Sequence, residues 1–166
     1  AYYLGLCYLK NGNKPYAVNA FVQSAKLNFD ETDIKPMALF YAGKTHFDLR
    51  NFDDAAIFLK DYLKKYPDHA HHQEANELLG EALLNTSNFS DAIAYVENSK
   101  TKSKRLNATY QKVTFYKGME HFNDGEFEKS LQLLEKSLNH PISGIFTQKA
   151  NFWKGEALSL QKKYEE

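Results

Sequence analysis

Five of the eight glycines in this 166-residue chain, Gly5, Gly43, Gly80, Gly118 and Gly155, stand 38, 37, 38 and 37 residues apart. Two more, Gly12 and Gly125, each follow one of these markers by seven residues, which leaves only Gly144 outside the pattern. A fixed interval of this size is the mark of one supersecondary unit repeated along the chain. The neighbours keep the same register. Nine residues after a marker stand Phe52, Phe89, Phe127 and Tyr164, with Lys14 breaking the rule in the first unit. Twelve residues after it stand the small Ala17, Ala55, Ala92 and Ser130, and four further on the bulky Phe21, Leu59, Val96 and Leu134. Small residues at fixed points, each followed by an apolar residue at helical spacing, suit two helices that cross closely, because a missing side chain lets backbones approach.

Each unit thus reads as helix, turn, helix. The turns fall at Asn11-Gly12-Asn13, Arg50-Asn51, Ser87-Asn88 and Asp124-Gly125, residue types that accept left-handed backbone or cap the following helix. Between units the breakers are Asp30 to Asp33 with Pro36, then Tyr66-Pro67-Asp68, then Lys102 to Arg105, then His140-Pro141 with Ser143-Gly144. No strand-like alternation competes. The pattern predicts nine helices, over 1–11, 15–28, 34–50, 53–66, 70–86, 90–101, 107–123, 127–139 and 146–162. They form a single array of units 1–33, 34–69, 70–106, 107–145 and a partial 146–166. The chain opens inside a first helix and stops at Tyr164-Glu165-Glu166, where a second helix is due, so it reads as a fragment of a longer array.

Composition narrows the function. With 21 basic and 21 acidic residues the formal charge is zero, which argues against nucleic acid as a partner. A single cysteine, Cys7, excludes a disulfide framework and a cysteine-based zinc site. No run approaches the eighteen or so apolar residues needed to span a bilayer, so no membrane insertion is expected of this segment.

With the register laid out, the chain resembles the tetratricopeptide repeat, whose helix pair reads L-G-x-x-Y, then A-x-x-x-F, then Pro. The first unit carries Leu4-Gly5, Tyr8, Ala17 and Phe21; the second Gly43, Ala55, Leu59 and Pro67; the third Leu79-Gly80 and Ala92; the fourth Gly118, Ser130, Leu134 and Pro141. The resemblance implies an all-α, right-handed solenoid of helix pairs with no active site and no cofactor. The interval exceeds the family's 34 residues while the marker-to-alanine distance stays at twelve, which places the extra turn in or after the second helix. The phrases Ala75 to Ala82, Ala150 to Ala157 and Tyr62 to Pro67 are similar to a bacterial subclass found in cell-envelope proteins, among them the periplasmic partner of the Tol-Pal system and lipoproteins of outer-membrane assembly. That similarity favours bacterial periplasm or envelope over cytoplasm.

Isolated motifs have plain readings. His69, His71, His72 and Glu74 could suggest zinc or nickel, but no second cluster completes a ligand set, and the segment falls in a polar loop; no metal site is expected. His46 and His121 share the third position after a marker, held by Tyr8 in the first unit, which argues for packing. Cys7 occupies a position taken elsewhere by Thr45, Ala82, Glu120 and Ala157 and reads as a small buried thiol. Lys100, Lys102, Lys104 and Arg105 read as a solvated loop, with a phosphate or acidic-partner contact as the alternative. Sequons at Asn85, Asn88 and Asn107 matter only in a eukaryotic secretory setting. No nucleophile elbow, phosphate-cradling glycine loop or metalloprotease motif occurs, so no catalytic residue is assigned.

What remains is a surface. In arrays of this family the first helices line a concave groove, and projection from the markers gives Phe40, Lys44, Glu77, Glu81, Phe115, Met119, Phe152 and Glu156 as groove residues. The residues preceding the markers come as aromatic doublets, Tyr2-Tyr3, Phe40-Tyr41, Phe115-Tyr116 and Phe152-Trp153, except for Glu77-Leu78 in the third unit. One member of each doublet is expected to face inward, and Phe40, Glu77, Glu81, Phe115 and Phe152 are taken as the outward residues. An aromatic trough interrupted by carboxylates suits a partner segment with apolar anchors around a basic residue. The lysine and asparagine clamp by which some relatives hold a terminal carboxylate has no counterpart at Tyr2, Phe40, Glu77 and Phe115 or at Leu6, Lys44, Glu81 and Met119. The expected function is a non-catalytic scaffold for a protein or peptide partner. Two alternatives stand beside it, a regulatory or targeting segment of a larger enzyme or signalling protein and a self-associating structural module.

Overall fold

A computed structural model describes residues 1–27, 34–99 and 102–165, with side chains through residue 162. The breaker at Asp30 to Asp33, Lys100 and the side chain of Tyr164 lie outside the described residues. Among those described there are nine helices: α1 (Tyr2–Lys10), α2 (Lys14–Lys26), α3 (Ile34–Asp48), α4 (Phe52–Lys65), α5 (His72–Asn85), α6 (Phe89–Asn98), α7 (Lys104–Asn123), α8 (Phe127–Leu138) and α9 (Gly144–Glu165). They fall into two compact units, Ala1–Thr86 with α1 to α5 and Ser87–Glu166 with α6 to α9.

The turns inside the helix pairs have one recurring cause. Gly12, Arg50, Ser87 and Gly125 all stand seven residues after a marker, and all four have positive φ, at 74°, 62°, 58° and 76°. At three of them the bonds close in the same way. The Gly12 amide donates to the Leu9 carbonyl and the Asn13 amide to that of Tyr8; Arg50 and Asn51 donate to Phe47 and His46, and Gly125 and Glu126 to Phe122 and His121. This left-handed cap satisfies carbonyls that the helix end would otherwise leave unpaired. Glycine takes that backbone freely, whereas Arg50 and Ser87 take it at a steric cost.

Packing explains the markers themselves. A Cβ added at Gly5 would lie 2.6 Å from the Phe21 ring, one at Gly43 2.7 Å from Leu59, and one at Gly118 3.2 Å from Leu134. The bulky residue sixteen positions on thus seats in the notch left by the glycine, and Phe21, Leu59 and Leu134 are fully buried. The small residues at the twelfth position, Ala17, Ala55, Ala92 and Ser130, are also at zero exposure. In the first unit α1 packs on α2, α2 on α3, α3 on α4 and α4 on α5; in the second α6 packs on α7, α7 on α8 and α8 on α9.

Helix boundaries differ from expectation by up to three residues, as at α6, which ends at Asn98 where 101 was expected, and two of the differences have a visible meaning. Helix α7 starts at Lys104, three residues early, because the Ser103 hydroxyl caps it by accepting the Leu106 amide at 3.1 Å. Lys104 and Arg105 therefore belong to a first helical turn and not to a loop. Helix α9 runs 22 residues without a break through Tyr164, where the start of a second helix was expected. One fully buried polar residue fixes its start. The Gln111 side chain accepts the Ser143 amide at 2.7 Å and donates to the Ser143 carbonyl and the Thr147 hydroxyl, each at 3.1 Å.

Candidate interaction surface

At 3.6 residues per turn each residue rotates the helix by about 100°. Take the marker glycine, which faces the second helix of its pair, as zero. The residue three before it lies only about 60° away, inside the packed sector. Phe40 is accordingly at 0% exposure and Phe115 at 5%, which corrects their assignment as outward members. The residue two before the marker lies at about 160°, and there Tyr3 is 70% and Tyr116 40% exposed, with Tyr41 half-buried. Phe152 is exposed as expected, at 60%, and nothing lies within 4 Å of where a Gly155 Cβ would stand. Lys44, Glu77, Glu81 and Met119 are half-buried and Glu156 is exposed.

In the first unit the surface is charge-balanced. Lys44 lies 5.6 Å above the Phe40 ring and pairs with Glu74 at 2.6 Å. Glu74, six residues before its marker, sits at about 120° on the same outward arc. The His71 ring stacks flat on Phe40, with centroids 4.3 Å apart and planes 7° from parallel, and its Nδ1 is 3.7 Å from the second Glu74 oxygen. The other imidazoles point elsewhere: His69 Nδ1 bonds the Tyr62 hydroxyl at 2.7 Å and His72 Nδ1 meets the Asn76 amide at 3.0 Å. Among the described residues no three His, Cys, Asp or Glu side chains are grouped to hold a metal.

The second unit differs at that same register position, where Lys112 and Lys149 replace Glu74. Their ammonium groups lie 6.0 and 5.6 Å from the centre of one ring, Phe146. Tyr116 meets Phe146 edge-on at 5.7 Å and stacks on Phe89 at 5.6 Å. Trp153 packs edge-on against Phe122 at 5.0 Å. Sequence reasoning named Tyr116 but took Phe115 as the outward member of that doublet, and it passed over Lys112, Lys149 and Phe146; the signal was available in the angular position of each residue relative to its marker.

The remaining singled-out residues are structural or surface features. His46 is half-buried and stacks on Phe58 at 5.4 Å; burial lowers its pKa, and the Asp54 carboxylate 3.7 Å away opposes that only in part. His121 bonds Glu126 across the α7–α8 turn. Cys7 is exposed and not buried, since the side of α1 on which it lies is uncovered, whereas the equivalent Thr45, Ala82 and Ala157 are packed against neighbouring helices. A depression of about 300 Å³ in the first unit, lined by Arg50 to Asp54 with Asn85 and Thr86, carries charges of both signs. No described helix is long and apolar enough to cross a membrane.

The family model of the tetratricopeptide repeat matches residues 2–70 and 43–100, well over half of the chain. The chain belongs to the tetratricopeptide repeat family. No curated protein matches it. Among solved structures it is similar to the nearly identical TPR-like repeats of a kinesin light chain from Podosopora anserina, at 16% identity and TM-score 0.53, covering 98% of this chain and 90% of that one. It is also similar to a double mutant of MamA from strain RS-1, at 15% identity and TM-score 0.52, covering 97% and 92%. At such identities the likeness concerns the fold alone, which is the all-α helical-repeat fold read from the sequence. Tetratricopeptide repeats serve as protein-interaction scaffolds, and the partners of this family are proteins or peptides.

Proposed function

We propose that this chain is one tetratricopeptide repeat array acting as a non-catalytic scaffold, and that it takes a segment of a partner protein on the outward arc of its first helices. In the first unit that arc presents Tyr41, Lys44 and Glu81, and in the second Tyr116, Met119 and Glu156. The observation that carries the reading is the 40% exposure of the ring two residues before the marker at Tyr116, on a helix with most of its other positions buried; Tyr3, at 70%, lies on the largely uncovered α1. Aromatic side chains left in water at a repeated register position give a partner large contact area at little entropic cost. Placement in a bacterial envelope belongs to the same proposal and is supported by the phrases around Gly80 and Gly155.

The test is site-specific photocrosslinking in the native cell. A benzophenone amino acid replaces Tyr41, Tyr116 or Ile57, the last being 63% exposed on the second helix α4. Adducts to one protein from positions 41 and 116 are expected, with none from 57. Adducts from 57 alone would move the binding surface to the second helices, and recovery of the protein from the cytosolic fraction would remove the envelope placement.

A further inference from the structure

We propose that the unit Ser87–Glu166 binds an acidic, apolar-anchored segment of a partner protein through Lys112, Tyr116, Phe146 and Lys149. The proposal rests on the scaffold reading and adds the chemistry of the partner.

Lys112 and Lys149 are distinguished by the ring they share, since Lys104 and Lys162 also pair with no carboxylate among the described residues. Elsewhere in this unit Lys117 pairs with Glu120, Lys129 with Glu126, Lys136 with Glu97 and Lys154 with Glu135, at 2.7 to 2.9 Å. Lys112 and Lys149 pair with no carboxylate among the described residues, and their contact is the Phe146 ring they share. Two ammonium groups gathered on one ring repel each other, and an anion placed beside them relieves that repulsion.

The first unit supplies an internal control. There Lys44 also stands over a phenylalanine, at 5.6 Å from Phe40, but Glu74 neutralises it at 2.6 Å. In the second unit both residues at Glu74's register position are themselves cations, set on a ring nine residues before its marker, so a cation-on-ring arrangement there is left with its carboxylate to come from outside. Apolar surface for an anchor lies beside it, with Ile145 65% and Tyr116 40% exposed and Phe146 in edge contact with Tyr116. A basic-aromatic patch also fits single-stranded nucleic acid. Two cations on a chain of zero formal charge, with Glu120 on α7 and Glu156 on α9 further along, give no basic track for a phosphate backbone.

The probe is a fluorescein-labelled decapeptide in which glutamate pairs alternate with leucine-phenylalanine pairs, with a glutamine counterpart and a ten-nucleotide single-stranded DNA as comparators. Binding is followed by anisotropy at low salt and again near 0.5 M. The acidic peptide should bind at least tenfold more tightly than the glutamine form and weaken with salt. Lys112→Glu with Lys149→Glu should lower its affinity a further tenfold or more, while Lys129→Glu leaves it unchanged and circular dichroism shows all variants folded. Absence of acidic-peptide binding, equal affinity for the glutamine form, indifference to the double variant, or tighter binding of the oligonucleotide would each overturn the proposal. If the crosslink at position 116 persists while the acidic peptide fails, the scaffold reading stands and only the charge assignment falls.

Discussion

Alanine at the marker glycines separates a packing cost from a helix propensity. Gly43 and Gly155 occupy the same register position in the interior of two helices, α3 and α9, so alanine brings each the same helical benefit of about 1 kcal/mol. Their surroundings differ. At Gly43 the new carbon would stand 2.7 Å from Leu59 Cγ, 2.9 Å from its Cδ2 and 3.3 Å from its backbone nitrogen. Carbon atoms rest about 3.5–4.0 Å apart, so Leu59 must give way by about 1 Å, and it is fully buried with α4 behind it. Overpacking of that kind costs about 1–3 kcal/mol. At Gly155 nothing stands within 4 Å, and the substitution is free of that penalty.

Propensity cancels in the comparison, so Gly43→Ala should be less stable than Gly155→Ala by the overpacking cost, with Gly155→Ala more stable than the parent by about 1 kcal/mol. Urea unfolding at 222 nm reports both units, and the single tryptophan, Trp153, reports the second. With a urea slope of roughly 1–3 kcal/mol per molar, the two midpoints should differ by on the order of 1 M. Equal midpoints, or a Gly43→Ala variant above the parent, would refute the account of the markers as notches for the second helix.

Ser87→Gly should raise stability and Gly125→Ser lower it, each by about 1 kcal/mol in urea unfolding, because both positions hold left-handed backbone, at φ 58° and 76°. Gln111→Ala should cost about 2–4 kcal/mol and shift Trp153 fluorescence, since it empties a buried site and strips the Ser143 amide of its acceptor at the start of α9. Burial holds the His46 pKa below 6.5, so the unfolded chain binds more protons; its contribution is complete above pH 6.5 and lost as pH falls through it, and His46→Phe should flatten that slope in urea titrations below pH 7.

The fold was legible because its cause is periodic. Gly5, Gly43 and Gly118 had to be small where Phe21, Leu59 and Leu134 come across, and a spacing of sixteen residues is visible without coordinates. The turns at Gly12 and Gly125 were legible for the same reason, whereas Arg50 and Ser87 take the same backbone with residue types that do not announce it. The start of α7 was misplaced because the breaker Lys102 to Arg105 hides a capping serine, Ser103, among charged residues. Gln111 was not legible at all. Its weight comes from Ser143 and Thr147, 32 and 36 residues away, and no local pattern connects them.

The surface failed in a more instructive way. Choosing the residue three before each marker put Phe40 and Phe115 on the outside, although a turn of about 60° from the glycine stays in the sector that packs on the second helix; at Phe152, where nothing stands against Gly155, the same position is 60% exposed. Positions on the packed sides are bound by their neighbours: alanine or valine five before the marker at Ala38, Ala75, Val113 and Ala150, all at zero exposure, and glycine at the marker itself. On the arc from about 100° to 160° that demand is weaker, although Leu78 is buried there at 4% exposure, and the repeats diverge. Six before the marker stand Met37, Glu74, Lys112 and Lys149, an apolar residue, a carboxylate and two cations at one geometric position. Packing cannot account for that variety, because the same helix face would tolerate any of them. The identity of those residues is therefore free to be set by what each unit meets, which is why an acid beside Lys44 and its replacement by lysine over Phe146 is the place where this chain discloses the charge of its partner.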